Sequence, residues 1–258
     1  MRLQTVVRDC LFLNWALPVE RLPAPPEPLR YELHAGPDGP SAFVSAVLFR
    51  QEGMHLPSLP LPRLSYSQCN VRAYVFDGDD EPAVWLWREL VPAWVVPAAR
   101  LLGGQPASAA SFDYPRPSRE PNLPSWSWRV QAGERRLEVR AERGAAAPLE
   151  KPSFPSWNGL VESLRQRSRG YAISGSKGSS GSGLQRVAAS HPSVPVWPLR
   201  IDLTDTSLVA SSAPGSAPGS LALPRLHSAW LCPEIPLVFD LAPMPVALTL
   251  PNQVPAPG

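Results

Sequence analysis

Prolines decide what this chain can become: 34 of its 258 residues are proline. Inside a helix a proline removes a hydrogen bond and clashes with the preceding turn, whereas turns, strand ends and sheet edges accept it. Prolines this frequent argue against long helices and predict many short strands joined by turns. The reading is therefore mainly β (α+β), with a few short helices.

The chain is organised around residues 68–104, QCNVRAYVFDGDDEPAVWLWRELVPAWVVPAARLLGG. Val71, Ala73 and Val75 alternate with Asn70, Arg72, Tyr74 and Phe76, a period of two that predicts a strand. Asp77-Gly78-Asp79-Asp80-Glu81-Pro82 reverses the chain, because Gly supplies positive φ and Asp bonds its own backbone. Ala83–Leu90 then runs almost wholly apolar, which predicts a second strand covered on both faces. Arg88 and Glu89 are adjacent, so their side chains point to opposite faces of the sheet. One of them faces whatever the sheet encloses, and Asn70 and Arg72 lie within cross-strand reach. A shift of one residue in register decides whether Asn70 sits opposite Arg88 or Glu89.

Further strands are expected at 8–19, at 31–34 and 41–49 flanking the turn 36–40, and at 125–130 and 135–142. Others are expected at 170–173 and 184–187, at 194–204, and at 237–241. Helices are expected at 93–102, started by Pro92, and at 160–169. The tracts 174–183 (SGSKGSSGSG) and 211–220 (SSAPGSAPGS) read as flexible loops within one domain spanning 1–248, and 249–258 as a loose tail.

Several chemistries are excluded. A net charge of +2, with only Lys151 and Lys177 as lysines, gives no basic face for nucleic acid. Apolar runs are too short to span a membrane, and the opening run Cys10–Leu13 is broken by Asn14 without a leader cleavage site. Cys10, Cys69 and Cys232 are scattered, as expected of reduced, buried thiols in a cytoplasmic protein. His34, His55, His191 and His227 lack metal-ligand spacing, so neither metal nor cofactor is expected. Gly181-Ser182-Gly183 leads to Arg186 where a dinucleotide loop needs Gly. Asp77, Asp79 and Glu81 lead to Pro82 and Arg88 where a calcium loop needs Gly and Glu.

Arg72, Arg88 and Glu89 remain. They are either a buried ion pair that holds register or polar groups on the wall of an apolar, Trp-rich cavity, where Arg clamps a carboxylate and Glu moves a proton.

Six pieces resemble, in order, the YqjF-like family of uncharacterised bacterial proteins, a domain of unknown function. They are LFLNWALP at 11–18, FVSAVLFR at 43–50, NVRAYV at 70–75, WLWRELVP at 85–92, HPSVPVWPLR at 191–200 and LHSAWLCPEIPLVFDLAPMP at 226–245. The resemblance implies the acetoacetate decarboxylase-like fold, an antiparallel β-barrel or cone with an internal cavity. Arg88-Glu89 and Pro92 resemble part of the decarboxylase motif. Its catalytic lysine pair is missing, since Trp94, Val95 and Val96 stand in that region. Schiff-base chemistry of the kind a desolvated lysine supports is therefore not expected. The leading reading is a small-molecule-binding domain without assigned catalysis, using Asn70, Arg72, Arg88 and Glu89. The alternative is a lyase-like enzyme on a small carboxylate or keto acid, with Glu89 as acid/base. A third reading is a barrel filled by its own side chains.

Overall fold

The computed structural model describes residues 2–36, 39–58, 62–103, 107–144, 154, 156–174, 183–215 and 221–245. The strands are β1 (Arg2–Pro18), β2 (Arg30–Tyr31), β3 (His34–Gly36), β4 (Gly39–His55), β5 (Leu64–Phe76), β6 (Pro82–Val91), β7 (Ala107–Ala109) and β8 (Ser111–Asp113). They continue as β9 (Trp126–Ala132), β10 (Arg135–Arg143), β11 (Arg169–Ser174), β12 (Gly183–Ser190), β13 (Trp197–Asp205) and β14 (Ser228–Pro245). Three short α-helices, α1 (Val96–Gly103), α2 (Trp157–Arg165) and α3 (Ser207–Ala210), and a single 3-10 turn at Val19–Arg21 complete the described elements.

Seven strands close into a ring in the order β1-β4-β5-β6-β11-β12-β14, with β14 returning to pair with β1. From β14 the sheet continues outward through β13, β10, β9 and β8. The sheet is mixed rather than wholly antiparallel, because β6 pairs in parallel with both β11 and β7. β11 reaches β6 only after the crossover that carries β8–β10 and α2, and such long connections permit parallel pairing.

Alternation splits the ring strands between two apolar layers. Leu11, Leu13, Trp15, Ala42, Val44, Ala46, Val71, Ala73 and Trp85 face outward. They pack against Trp126, Trp128, Val130, Leu137 and Val139 of β9 and β10. Phe12, Phe43, Val47, Phe49, Tyr74, Val84 and Trp230 face inward, where Leu160, Val161 and Leu164 of α2 cover them at one end of the ring. Trp230 stacks on Phe12 at 5.2 Å and meets the edge of Trp157 at 5.8 Å.

Several polar groups on this inner face pair with one another. Asn14 accepts from Ser45, whose hydroxyl lies 3.0 Å from that of Tyr74. Glu32 pairs with Arg167 at 2.7 Å, and the Arg167 side chain is only 2 % exposed. Ser156 caps α2 by accepting from the Gly159 amide at 3.1 Å. Ser156→Ala is expected to cost about 1 kcal/mol. That lowers Tm by roughly 2–4 °C in calorimetry for a chain of this size.

Two elements extend well past the sequence expectation. β1 begins at Arg2, and β14 runs 18 residues through four prolines where only 237–241 was expected. Pro233 falls opposite the register break at Asp9, which takes φ 52°. Both Pro233 and Pro236 lie where β14 has no second partner beyond β1. A missing N–H costs little at such positions. α1 starts at Val96 rather than 93, which places Pro97 in its first turn, where proline is tolerated. α2 spans Trp157–Arg165 rather than 160–169. The hairpin of β11 and β12 forms as expected. Its tip, 175–182, lies outside the described residues, as do 216–220 of the second expected loop and the tail 249–258. Within that second loop Ser212 and Ala213 are buried against α3 and the outer layer, so 211–215 is ordered packing. No described helix is long and apolar enough to cross a membrane.

Candidate ligand site

At the end of the ring away from α2 lies a cavity of about 240 Å³. Side chains from β1, β4, β5, β6, β12 and β14 surround it, and Val95, Ala98 and Ala99 at the start of α1 close one side. Most of the wall is aliphatic or aromatic, including Leu3, Phe49, Met54, Leu86, Val187 and Phe239. A few convergent polar groups in such a wall are the usual make-up of a small-molecule site.

A β-bulge decides which charged residue enters this cavity. Asn70 pairs with Glu89 and Val71 with Arg88, but Arg72 pairs with Leu86, so β6 carries one extra residue. Strict alternation from Val84 and Leu86 would send Arg88 inward and Glu89 outward. The extra residue reverses this, since a bulge shifts the facing of all that follows it. Glu89 therefore lines the cavity, and Trp85, Trp87 and Leu90 all lie in the outer layer. Arg88 pairs opposite the outward Val71 and is half-buried. Burial and the Arg135 charge on β10 lower its pKa.

Glu89 is 7 % exposed. Gln68 Nε2 donates to its Oε1 at 2.9 Å and to Asn70 Oδ1 at 2.9 Å. Gln51 donates to Gln68 at 3.4 Å, and Thr5 donates to Gln51 at 2.9 Å. Glu89 Oε2 is buried and has no hydrogen-bond partner among the described residues. Burial raises the carboxyl from 4.5 to about 7. Burial, and then the Glu89 charge, also push up the neighbouring Tyr66 phenol. A carboxyl poised near neutrality both gives and takes protons readily at physiological pH.

Of the residues expected at the site, Asn70 and Glu89 line the cavity, while Arg72 and Arg88 do not. Arg72 is on the inner face but two residues nearer α2. There it donates to the Leu164 carbonyl at 3.2 Å and to the Tyr74 hydroxyl at 3.3 Å, and lies over the Phe12 ring. Neither Arg72 nor Arg88 pairs with Glu89, so the expected ion pair is absent among the described residues. The expected Trp-rich wall is also corrected. Trp15, Trp85, Trp87, Trp126, Trp128 and Trp230 are core, because large rings gain most from full burial.

Sequence reasoning missed Gln68, which sits two residues before Asn70. The same alternation that selected Asn70 and Arg72 places it on their face. Gln51 and Thr5 had no local signal.

Other expected chemistry is sparse. Burial pushes the Cys69 and Cys232 thiols up to about 12 and Cys10 well above its usual value, and all three are free. Among the described residues no group of three or more His, Cys, Asp or Glu is placed to hold a metal ion. Lys151 and Lys177 lie outside the described residues. The acidic turn is a structural latch. Asp77 accepts from the Asp79 and Glu81 amides, from Arg169 at 2.7 Å and from Tyr171 at 2.9 Å, tying the β5–β6 turn to β11. Burial opposes ionisation of Asp77, but these donors outweigh it and lower its pKa.

A closed, mostly β ring with this outward extension is the acetoacetate decarboxylase-like fold. Several solved structures share it. An enduracididine biosynthesis enzyme, MppR, complexed with the condensation product of pyruvate and imidazole 4-carboxaldehyde, matches with a TM-score of 0.61 at 12% identity, over 93% of this chain and 87% of that one. An acetoacetate decarboxylase-like enzyme from Sphingomonas wittichii RW1 matches at 0.57 and 14%, over 92% and 89%. Acetoacetate decarboxylase itself matches at 0.56 and 14%, over 94% and 89%. No curated protein matches in sequence. The chain belongs to the DUF2071 family, an uncharacterised conserved protein family, whose profile it matches over residues 4–229. The family and fold implied by the motif order are thereby borne out.

Proposed function

We propose that this protein binds a small, mainly apolar organic molecule in the ring cavity, with Glu89 as its principal polar contact and Asn70 and Gln68 positioning that carboxyl. One observation carries the reading: Glu89 lines an apolar cavity, and its buried Oε2 has no hydrogen-bond partner among the described residues. A buried polar atom left unpaired costs free energy that a ligand group recovers on binding. The described lining residues include no arginine or lysine, which favours an uncharged ligand group over a carboxylate. The three unpaired thiols support a reducing, cytoplasmic setting.

A thermal-shift panel of small ketones, amides, alcohols and carboxylates tests this reading. The expected result is saturable stabilisation by the uncharged, apolar members, roughly 5–10 °C at a hundredfold excess over Kd. Glu89→Gln is expected to weaken that stabilisation, whereas Arg88→Gln leaves it unchanged. A panel that leaves Tm unmoved would return the cavity to a packing defect in an otherwise filled ring.

A second reading is favoured by the Glu89 pKa of about 7. In it the same carboxyl moves a proton on a bound keto compound, without a Schiff base. Its mark is turnover that rises or falls around pH 7 and is lost in Glu89→Gln while binding survives. Fold likeness alone does not transfer the activity of the neighbours.

A further inference from the structure

A second cavity, about 340 Å³, lies beside the far ends of β4 and β5, bounded also by residues of the loop after β8. Arg50 and Ser67 are register partners, so their side chains stand side by side on one face of the pair. Ser65 shares that face by alternation. Arg116 and Arg119 come from the loop, and Glu52 is the single carboxylate among the described lining residues.

Three guanidiniums thus face one carboxylate, and that carboxylate is already engaged. Arg8 donates to Glu52 at 2.8 Å, and Arg119 stands 4.0 Å from it. Arg50 gives one NH2 to the Tyr114 carbonyl at 2.7 Å, while its buried Nε has no acceptor among the described residues. Arg116 is exposed and makes no ion pair among the described residues. Asp9 lies near Arg50, but it is buried and already accepts from the Ser118 amide at 2.8 Å. Burial, and then the Arg116 charge, lower the Arg50 pKa against the smaller opposing pull of Asp9 and Glu52.

We propose that this pocket is a binding site for a tetrahedral oxyanion of the phosphate type, held by Arg50 and Arg116 with the Ser67 hydroxyl beside them. Planar guanidiniums present paired N–H donors that match phosphate oxygens. An anion placed between Arg50 and Arg116 removes their mutual repulsion. Gln51 and Tyr66 border both cavities, but Arg50, Ser67 and Arg116 line only this one, so phosphate binding is read separately from the Glu89 carboxyl.

Isothermal titration of the full chain with inorganic phosphate tests this proposal. Ionic strength is held constant, with sodium chloride as the control, because surface charge effects are screened by any salt. The expected result is saturable phosphate binding that chloride does not reproduce. Arg116→Gln should weaken it roughly tenfold, the loss of one charge-assisted hydrogen bond. Arg140→Gln, on the exposed face of β10, should bind like the parent. The Arg116 carbonyl accepts from the Arg119 and Glu120 amides, contacts that glutamine keeps, and its side chain makes no ion pair among the described residues; an unchanged Tm without phosphate verifies that the variant is folded. Equal stabilisation by chloride, or full phosphate affinity in Arg116→Gln, would overturn the proposal.

Discussion

Glu89→Gln is expected to make the protein more stable above pH 7 and to remove a pH dependence that the parent shows between about pH 4.5 and 7. In the unfolded chain this carboxyl ionises at its ordinary value of 4.5, and in the folded chain at about 7 because it is buried. Between those values the folded state keeps a proton that the unfolded state has released. Stability therefore falls as pH rises through this window and levels off above about pH 7. A shift of this size corresponds to about 3 kcal/mol at one pKa unit per 1.36 kcal/mol. For a chain of this length that is roughly 6–12 °C in Tm at pH 8. Glutamine keeps the shape and the Gln68 contact but has no charge to desolvate, so its variant gains at pH 8 what the parent lost. Calorimetry of both proteins from pH 5 to 8 measures the effect. Other shifted carboxyls, Asp9 and Glu32 among them, are common to both proteins and cancel in the difference. Parallel curves would falsify the assignment of Glu89 as a buried, uncompensated acid.

The second large effect concerns Glu32 and Arg167, the pair that fixes the chain just after α2 to the ring. Burial pushes the Glu32 carboxyl up and the Arg167 guanidinium down, in each case against the pull of the partner. Glu32→Leu leaves Arg167 charged and buried, with the Ser163 hydroxyl at 3.1 Å and the Tyr74 ring at 5.3 Å but no counter-charge paired to it among the described residues. Removing one member of a buried pair costs about 3–5 kcal/mol. Replacing both members by apolar groups of similar volume is often neutral. Urea denaturation of Glu32→Leu should show that loss, and the double variant Glu32→Leu/Arg167→Met should recover most of it. Additive losses in the double variant would mean that each side chain acts through packing and not through the pair.

The central hairpin was legible because its signals are local. Alternation at 70–76, turn chemistry at 77–82 and an apolar run at 83–90 each need only neighbouring residues, and β5 and β6 form where they predict. The six ordered motifs were enough for family and fold. Length at β1 and β14 was not legible, since a proline's cost depends on whether its N–H faces a partner strand, which is a tertiary fact.

By itself, the sequence determined a mainly β chain of short helices, an Arg-Glu pair in a buried strand, and the absence of lysine at 94–96. Only the tertiary structure decided which member of that pair enters the ring. The bulge in β6 is one residue of mismatch against β5, and it becomes visible only once the two strands are paired. That single residue turns Glu89 inward, leaves Arg88 on the outer face towards β10, and makes a carboxyl rather than a guanidinium the charged group of the cavity.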